Sequence, residues 1–159
     1  GRECDFAVLF DSWCQMGLSN VSPEVKVQVE NPFLRLLVEI DLEHVGKVIQ
    51  KLCSVAVSFT QKGSILAKCE YRQGQLSVVI EDTGRGIDPQ ALPHVFTRFV
   101  RDEGEMLCGT GLDFPIVHAL VEQMGGSIEL QSETGKGTTV WVIIPCEASV
   151  IERRRELIE

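Results

Sequence analysis

The residues with the clearest chemical potential are Asp82, Gly84 and Gly86, in a stretch from Ser77 to Asp88 that reads SVVIEDTGRGID. A short apolar run, Val78-Val79-Ile80, ends in Glu81-Asp82 and breaks into Thr83-Gly84-Arg85-Gly86. This predicts a buried strand that carries a carboxylate to its end. The loop after it has two glycines, which let backbone approach a flat or anionic group. A carboxylate so placed can accept one charge-assisted hydrogen bond from an exocyclic amine. D-x-G-x-G also occurs in ordinary turns, so its meaning rests on what the rest of the chain sets around it.

The surrounding elements follow from periodicity. Residues 5–13 are apolar and short, a first helix or an entry segment. Val25, Val27 and Val29 alternate with Lys26, Gln28 and Glu30, the period of a half-buried strand. Asn31-Pro32 makes a turn, and residues 34–40 form a second strand. Asp41 is placed as a helix N-cap. Val45, Val48, Ile49, Leu52, Cys53, Ala56 and Phe59 then recur at helical spacing, and Lys62-Gly63 stops the helix. Residues 65–71 and 75–81 read as a hairpin about Arg72-Gln73-Gly74. Residues 89–94 suggest a short helix, with Phe96 and Phe99 packing back on the core, and 101–111 a mobile loop. A helix over 114–124 presents Ile116, Val117, Leu120, Val121 and Met124 on one face, and Gly125-Gly126 ends it. Residues 127–132 and 138–145 form a hairpin about Gly135-Lys136-Gly137, read as a plain turn. The pattern predicts a domain over residues 1–147 and a charged helix or linker over 148–159. Strand pairs separated by helices imply an α/β (α+β) two-layer sandwich, a mixed sheet covered by helices on one face.

Composition narrows the function. The chain has 159 residues, 44% hydrophobic and 24% charged, as expected for one soluble domain with a substantial core. A net charge of −8 disfavours nucleic acid as a partner. No apolar run reaches bilayer length, so no direct membrane contact is expected. The six cysteines form no C-x-x-C pair. Several of them fall in apolar periodic segments, which favours free thiols in a reducing, cytoplasmic setting over zinc or disulfides. The chain opens Gly1-Arg2-Glu3 with neither an initiator methionine nor a leader, and reads as a piece of something longer.

Three glycine punctuations fall in one order: Asp82-x-Gly84-x-Gly86, Gly109-x-Gly111-Leu112 and Gly135-x-Gly137-Thr138-Thr139, with Val95-Phe96-Thr97-Arg98-Phe99 between the first two. The arrangement resembles the ATP-binding domain of sensor histidine kinases, within the superfamily that includes gyrase, the Hsp90 chaperones and MutL. The resemblance covers roughly residues 41–145. It implies a Bergerat-type ATP-binding fold, a mixed sheet backed by three main helices, with ATP held under a lid. By position, Asp82 would read the adenine amino group, and Gly84 and Gly86 would let the loop approach the base. Phe96 and Phe99 would match the phenylalanine motif, and residues 101–108 the lid. Gly109 and Gly111 would face phosphate, as glycine amides at a helix N-terminus do, and Thr139 would lie near the base of the pocket. The implied partners are a dimerisation and phosphoacceptor domain and a response regulator. His44, His94 and His118 lack a phosphoacceptor context, so the accepting histidine is expected elsewhere.

Two stretches depart from that pattern. Where the family's helix reads N-L-x-x-N-A-x-K-F, this chain has Lys51-Leu52-Cys53-Ser54-Val55-Ala56-Val57-Ser58-Phe59. Lys51 and Val55 stand at the two asparagine positions and Ser58 at the basic one, so the hard oxygen ligands that Mg needs are missing and no metal site is expected. Asp113, in Gly111-Leu112-Asp113-Phe114-Pro115, suits a helix start worth about 1 kcal/mol. A carboxylate ~8 Å from a phosphate charge opposes it by roughly 2 kcal/mol at an effective dielectric near 20. ATP binding is therefore expected to be weakened or lost. Two readings stay open: a catalytic domain that passes the γ-phosphoryl of ATP to a histidine, or a regulatory pseudokinase module. A gyrase- or Hsp90-like hydrolase ranks last, because Lys51 stands where those enzymes place their water-activating glutamate.

Overall fold

The computed structural model describes residues 2–96 and 113–155. Within them the order is β1 (Arg2–Asp5), α1 (Phe6–Gly17), β2 (Val25–Glu30), β3 (Phe33–Ile40), α2 (Leu42–Phe59), β4 (Gly63–Arg72) and β5 (Gln75–Asp82). A single 3-10 turn at Leu92–His94 precedes α3 (Asp113–Gln123), β6 (Ser127–Glu133), β7 (Gly137–Pro145) and β8 (Glu147–Arg153). A five-stranded sheet runs β2-β4-β5-β7-β6, and a three-stranded sheet runs β1-β3-β8. Only β2 and β4 pair in parallel; the other pairings are antiparallel. The fold is the expected two-layer α/β sandwich, with a second small sheet that the periodicity did not predict.

The local rules act where the sequence placed them. Asp5 and Asp41 accept hydrogen bonds from Ala7 N and His44 N and cap α1 and α2. The β4–β5 hairpin closes on Gln73-Gly74, both at positive φ, the backbone of a two-residue hairpin turn. α2 lies between α1 and α3. Its Val45, Val48, Ile49, Leu52 and Phe59 meet the inward faces of the sheet, where Ile65, Ala67, Val78, Ile80, Val140 and Val142 are buried. β5 is the central strand, buried on its even positions from Leu76 to Asp82.

Two expectations change. The helix foreseen over 148–159 is instead β8 over Glu147–Arg153, which pairs antiparallel with β3. Ala148 and Val150 share the less exposed face of the strand, the period of a strand, while Ile151 lies on the other face at 50% exposure. β2 and β3, separated by Asn31-Pro32, enter different sheets, and β2 sits at an edge with Val27 and Val29 still 38% exposed. No helix among the described residues is long and apolar enough to cross a membrane.

Candidate functional site

β5 delivers Asp82 to its C-terminal end, where the residue is only 6% exposed. Its carboxylate accepts a hydrogen bond from Gly84 N at 2.8 Å, turning the chain immediately after the strand. Burial pushes the Asp82 carboxyl above its ordinary value. The N–H groups of Gly84 and Thr138 and the hydroxyl of Thr60 pull in the opposite direction. Thr60, 1% exposed and directly after α2, lies near that carboxylate, yet its Oγ1 has no partner in strict hydrogen-bond geometry. Thr60 and Asp82 thus set a hydroxyl donor and a carboxylate acceptor side by side at the end of β5.

The two glycines of the motif are required by the protein itself. A Cβ at Gly84 would collide with the carbonyl oxygen of Phe59, and one at Gly86, at φ +77°, with the carbonyl oxygen of Glu133. Arg85 N donates to Phe59 O at 3.0 Å, and Gly135 N donates to Arg85 O at 2.8 Å. The loop is therefore held between the end of α2 and the β6–β7 turn. Gly137 serves the same packing, since a Cβ there would meet the carbonyl oxygen of Asp82.

The strand register separates the two neighbouring threonines. Thr138 is the cross-strand partner of Asp82 and is buried at 5%, whereas Thr139 opposes Glu81 on the other face of the sheet. The alternation of Val140, Val142 and Ile144 already carries this parity in the sequence. Thr138 Oγ1 lies 2.8 Å from Ser132 Oγ, which accepts from Ile87 N at 2.7 Å and donates to Gly137 O at 3.2 Å. Ser132, Thr138 and Thr60 are buried or half-buried polar residues about the end of β5 that reading motifs alone did not single out. For Thr60, the sequence offered only a polar residue at the end of an apolar helix. Asp82, Ser132, Thr138 and Thr139 all line one cleft of about 590 Å³.

The helix positions that depart from the family pattern, Lys51, Val55 and Ser58, do not line that cleft. Val55 is 4% exposed and part of the apolar core. Lys51 and Ser54 line a groove on α2 that Trp13 of α1 and Leu120 of α3 also border. Ser58 is exposed and donates to Val55 O at 2.9 Å. Among the described residues, no three His, Cys, Asp or Glu side chains gather as a metal site.

Comparison with known proteins now bears on the chain. Residues 40–148 match the family of histidine kinase-, DNA gyrase B-, and HSP90-like ATPases. The chain belongs to that family. Sensor protein SrrB of Staphylococcus aureus is 36% identical over 111 residues, which make up 66% of this chain and 19% of SrrB. The chain thus spans about a fifth of the curated relatives it matches. Mycobacterial sensor histidine kinase MprB superposes with a TM-score of 0.73 at 21% identity, covering 92% of this chain and 99% of that one. Full-length ShkA in complex with AMPPNP gives 0.77 at 22% identity, covering 92% and 31%. Acinetobacter baumannii histidine kinase AdeS gives 0.68 at 18%, covering 91% and 66%. These structural likenesses establish the fold.

Within the family frame, Phe96 is half-buried and packs edge-on to Phe114 at 6.2 Å and parallel to the His118 ring at 5.1 Å, which ties the segment after the 3-10 turn to α3. His118 also lies 3.4 Å from Glu122, and His44 bridges α2 to α3 through Gln123 at 2.9 Å. Phe99, Gly109, Gly111 and the lid expected over 101–108 lie outside the described residues, as does the side chain of Asp113. The five described cysteines are unbridged, and Cys14, Cys53 and Cys69 are buried as small hydrophobes.

Proposed function

We propose that this chain is the adenine-nucleotide-binding domain of a sensor histidine kinase, with recognition concentrated at the base. The observation that carries the reading is the buried Asp82 carboxylate at the end of the central strand, with the buried Thr60 hydroxyl beside it. Asp82 would accept from the exocyclic amine, and Thr60 and the Thr138–Ser132 pair would complete the polar wall. Membership of the ATPase family and similarity to SrrB support this assignment. When bound, ATP would supply the phosphoryl group, and the chain's part would be to orient the base end while a histidine outside residues 1–159 accepts.

A second reading is favoured by Val55, whose burial in the core leaves an apolar methyl pair where a metal ligand is needed. On that reading the domain is a regulatory pseudokinase with weak or absent Mg-ATP binding, and it relays signals to its phosphoacceptor domain and response regulator by contact. Titration calorimetry with adenosine, ADP and ATP, each with and without Mg, distinguishes them. Base-centred recognition gives similar affinities for all three, abolished by Asp82→Asn. Strong preference for Mg-ATP restores the conventional kinase reading, and no binding of any of the three refutes the adenine site.

A further inference from the structure

The outer edge of β2 carries an apolar face and an oppositely charged pair on its polar face. Among the described residues, β2 pairs only with β4, so its other edge is open. Both ends of the strand are fixed. Val25 N donates to Ser22 O at 3.0 Å, and Asn31 Nδ2 donates to Ala7 O at 2.8 Å and Asp11 Oδ1 at 3.1 Å. Val27 and Val29 align with Ile65 and Ala67, both fully buried, so the apolar face of the sheet continues onto β2. There it runs out of cover, leaving the two valines 38% exposed. Lys26, Gln28 and Glu30 occupy the opposite face, all exposed.

We propose that this edge pairs antiparallel with the same edge of a second chain, about a two-fold axis through Gln28. That register sets Val27 against Val29 on the apolar face. It also sets Lys26 against Glu30 twice on the polar face, so each copy supplies both partners of a complementary pair. A shift by one residue would oppose valine to polar residues. Parallel pairing would set Lys26 against Lys26. A single lysine on an edge usually discourages strand addition; here Glu30 offsets it in only one arrangement. The occupant is therefore a copy of this chain, and the union joins two five-stranded sheets into one.

The test is sedimentation velocity of the chain up to hundreds of micromolar at low salt. The wild-type chain forms a dimer that dissociates on dilution. Lys26→Glu alone and Glu30→Lys alone each bring like charges together twice and weaken the dimer by about tenfold. The double variant Lys26→Glu/Glu30→Lys returns to near the wild-type affinity. An equimolar mixture of the two single variants forms a heterodimer, because each then carries the charges the other needs. A chain that stays monomeric at the highest concentration overturns the proposal. So does a dimer indifferent to the single changes, or a mixture that fails to heterodimerise.

Discussion

Gly84 lies against the carbonyl of Phe59 so closely that a single added carbon would overlap its oxygen. The contact locks the loop after β5 to the end of α2, and two further interactions reinforce it. Arg85 N donates to the same carbonyl at 3.0 Å, and the Arg85 guanidinium lies 4.4 Å over the Phe59 ring. Gly84→Ala is expected to destabilise the fold by about 2 kcal/mol, because the obstacle is backbone and cannot swing aside. Gly135 provides the contrast. Nothing lies within 4 Å of a Cβ there, but its φ is +81°. Gly135→Ala should lose only about 1 kcal/mol, from left-handed backbone strain. Urea denaturation with unchanged m-values measures both.

Asp82 is expected to weaken the fold that presents it. Its carboxyl is raised by burial, so between its unfolded and folded pKa the native state holds more protons than the unfolded chain. Wild-type stability therefore falls as pH rises through that window, and the deficit persists above it. Asp82→Asn keeps an acceptor for Gly84 N but carries no charge. It should be at least as stable as the wild type at neutral pH, with the advantage shrinking as acid protonates Asp82. The same variant should lose adenosine binding. Paired urea titrations at acidic and neutral pH check the first part and calorimetry the second. Lower stability of the variant at neutral pH would contradict the account.

The parts legible in the sequence were those set by local periodicity. Asp41 and the apolar positions of α2 named that helix, and Gln73-Gly74 named its hairpin. The order of glycines named the family. Which strand joins which sheet is decided by distant partners, so the pairing of β8 with β3 was invisible in 148–159, where charge suggested a helix. That Thr138 shares the face of Asp82, and Thr139 the opposite face, was readable from the parity of Val140, Val142 and Ile144. Thr60 could be found only in three dimensions. Its significance is a buried hydroxyl beside Asp82, 22 residues further on in the chain.

The strand that replaced the expected helix is held by Arg153. Its Nη2 lies 2.7 Å from Glu70 Oε1 and 3.3 Å from Tyr71 O, and the guanidinium sits 4.8 Å over Phe33. Burial tends to raise the Glu70 carboxyl, but the hydrogen bond from Arg153, followed by that from Tyr71 N, brings it below its ordinary value. A lowered carboxyl stabilises above its unfolded pKa and loses that contribution as pH falls through the folded one. Arg153→Ala should therefore lower stability by about 1 kcal/mol at neutral pH, allowing for partial exposure of the pair. The deficit should narrow in acid. Amide exchange should quicken in β8 before it does in β5.

Reversing the family departures tests whether the phosphate end limits binding. On the proposed reading, Lys51→Asn with Asp113→Gly would remove a cation from the first asparagine position and a carboxylate that would oppose phosphate. Adding Val55→Asn supplies an oxygen ligand. Val55 is 4% exposed, so its replacement buries an amide and should destabilise the apo domain by about 1–3 kcal/mol. A ligand that satisfies that amide recovers part of the loss, so nucleotide and Mg should stabilise the triple variant more than the wild type. The expected result is an ATP affinity at least about tenfold higher in the triple variant, now dependent on Mg, with adenosine affinity unchanged. The double variant separates the electrostatic part from the metal part, because it should gain ATP affinity without Mg dependence. Unchanged ATP affinity in both variants would place the limit at the base end, and attention would return to Asp82 and Thr60.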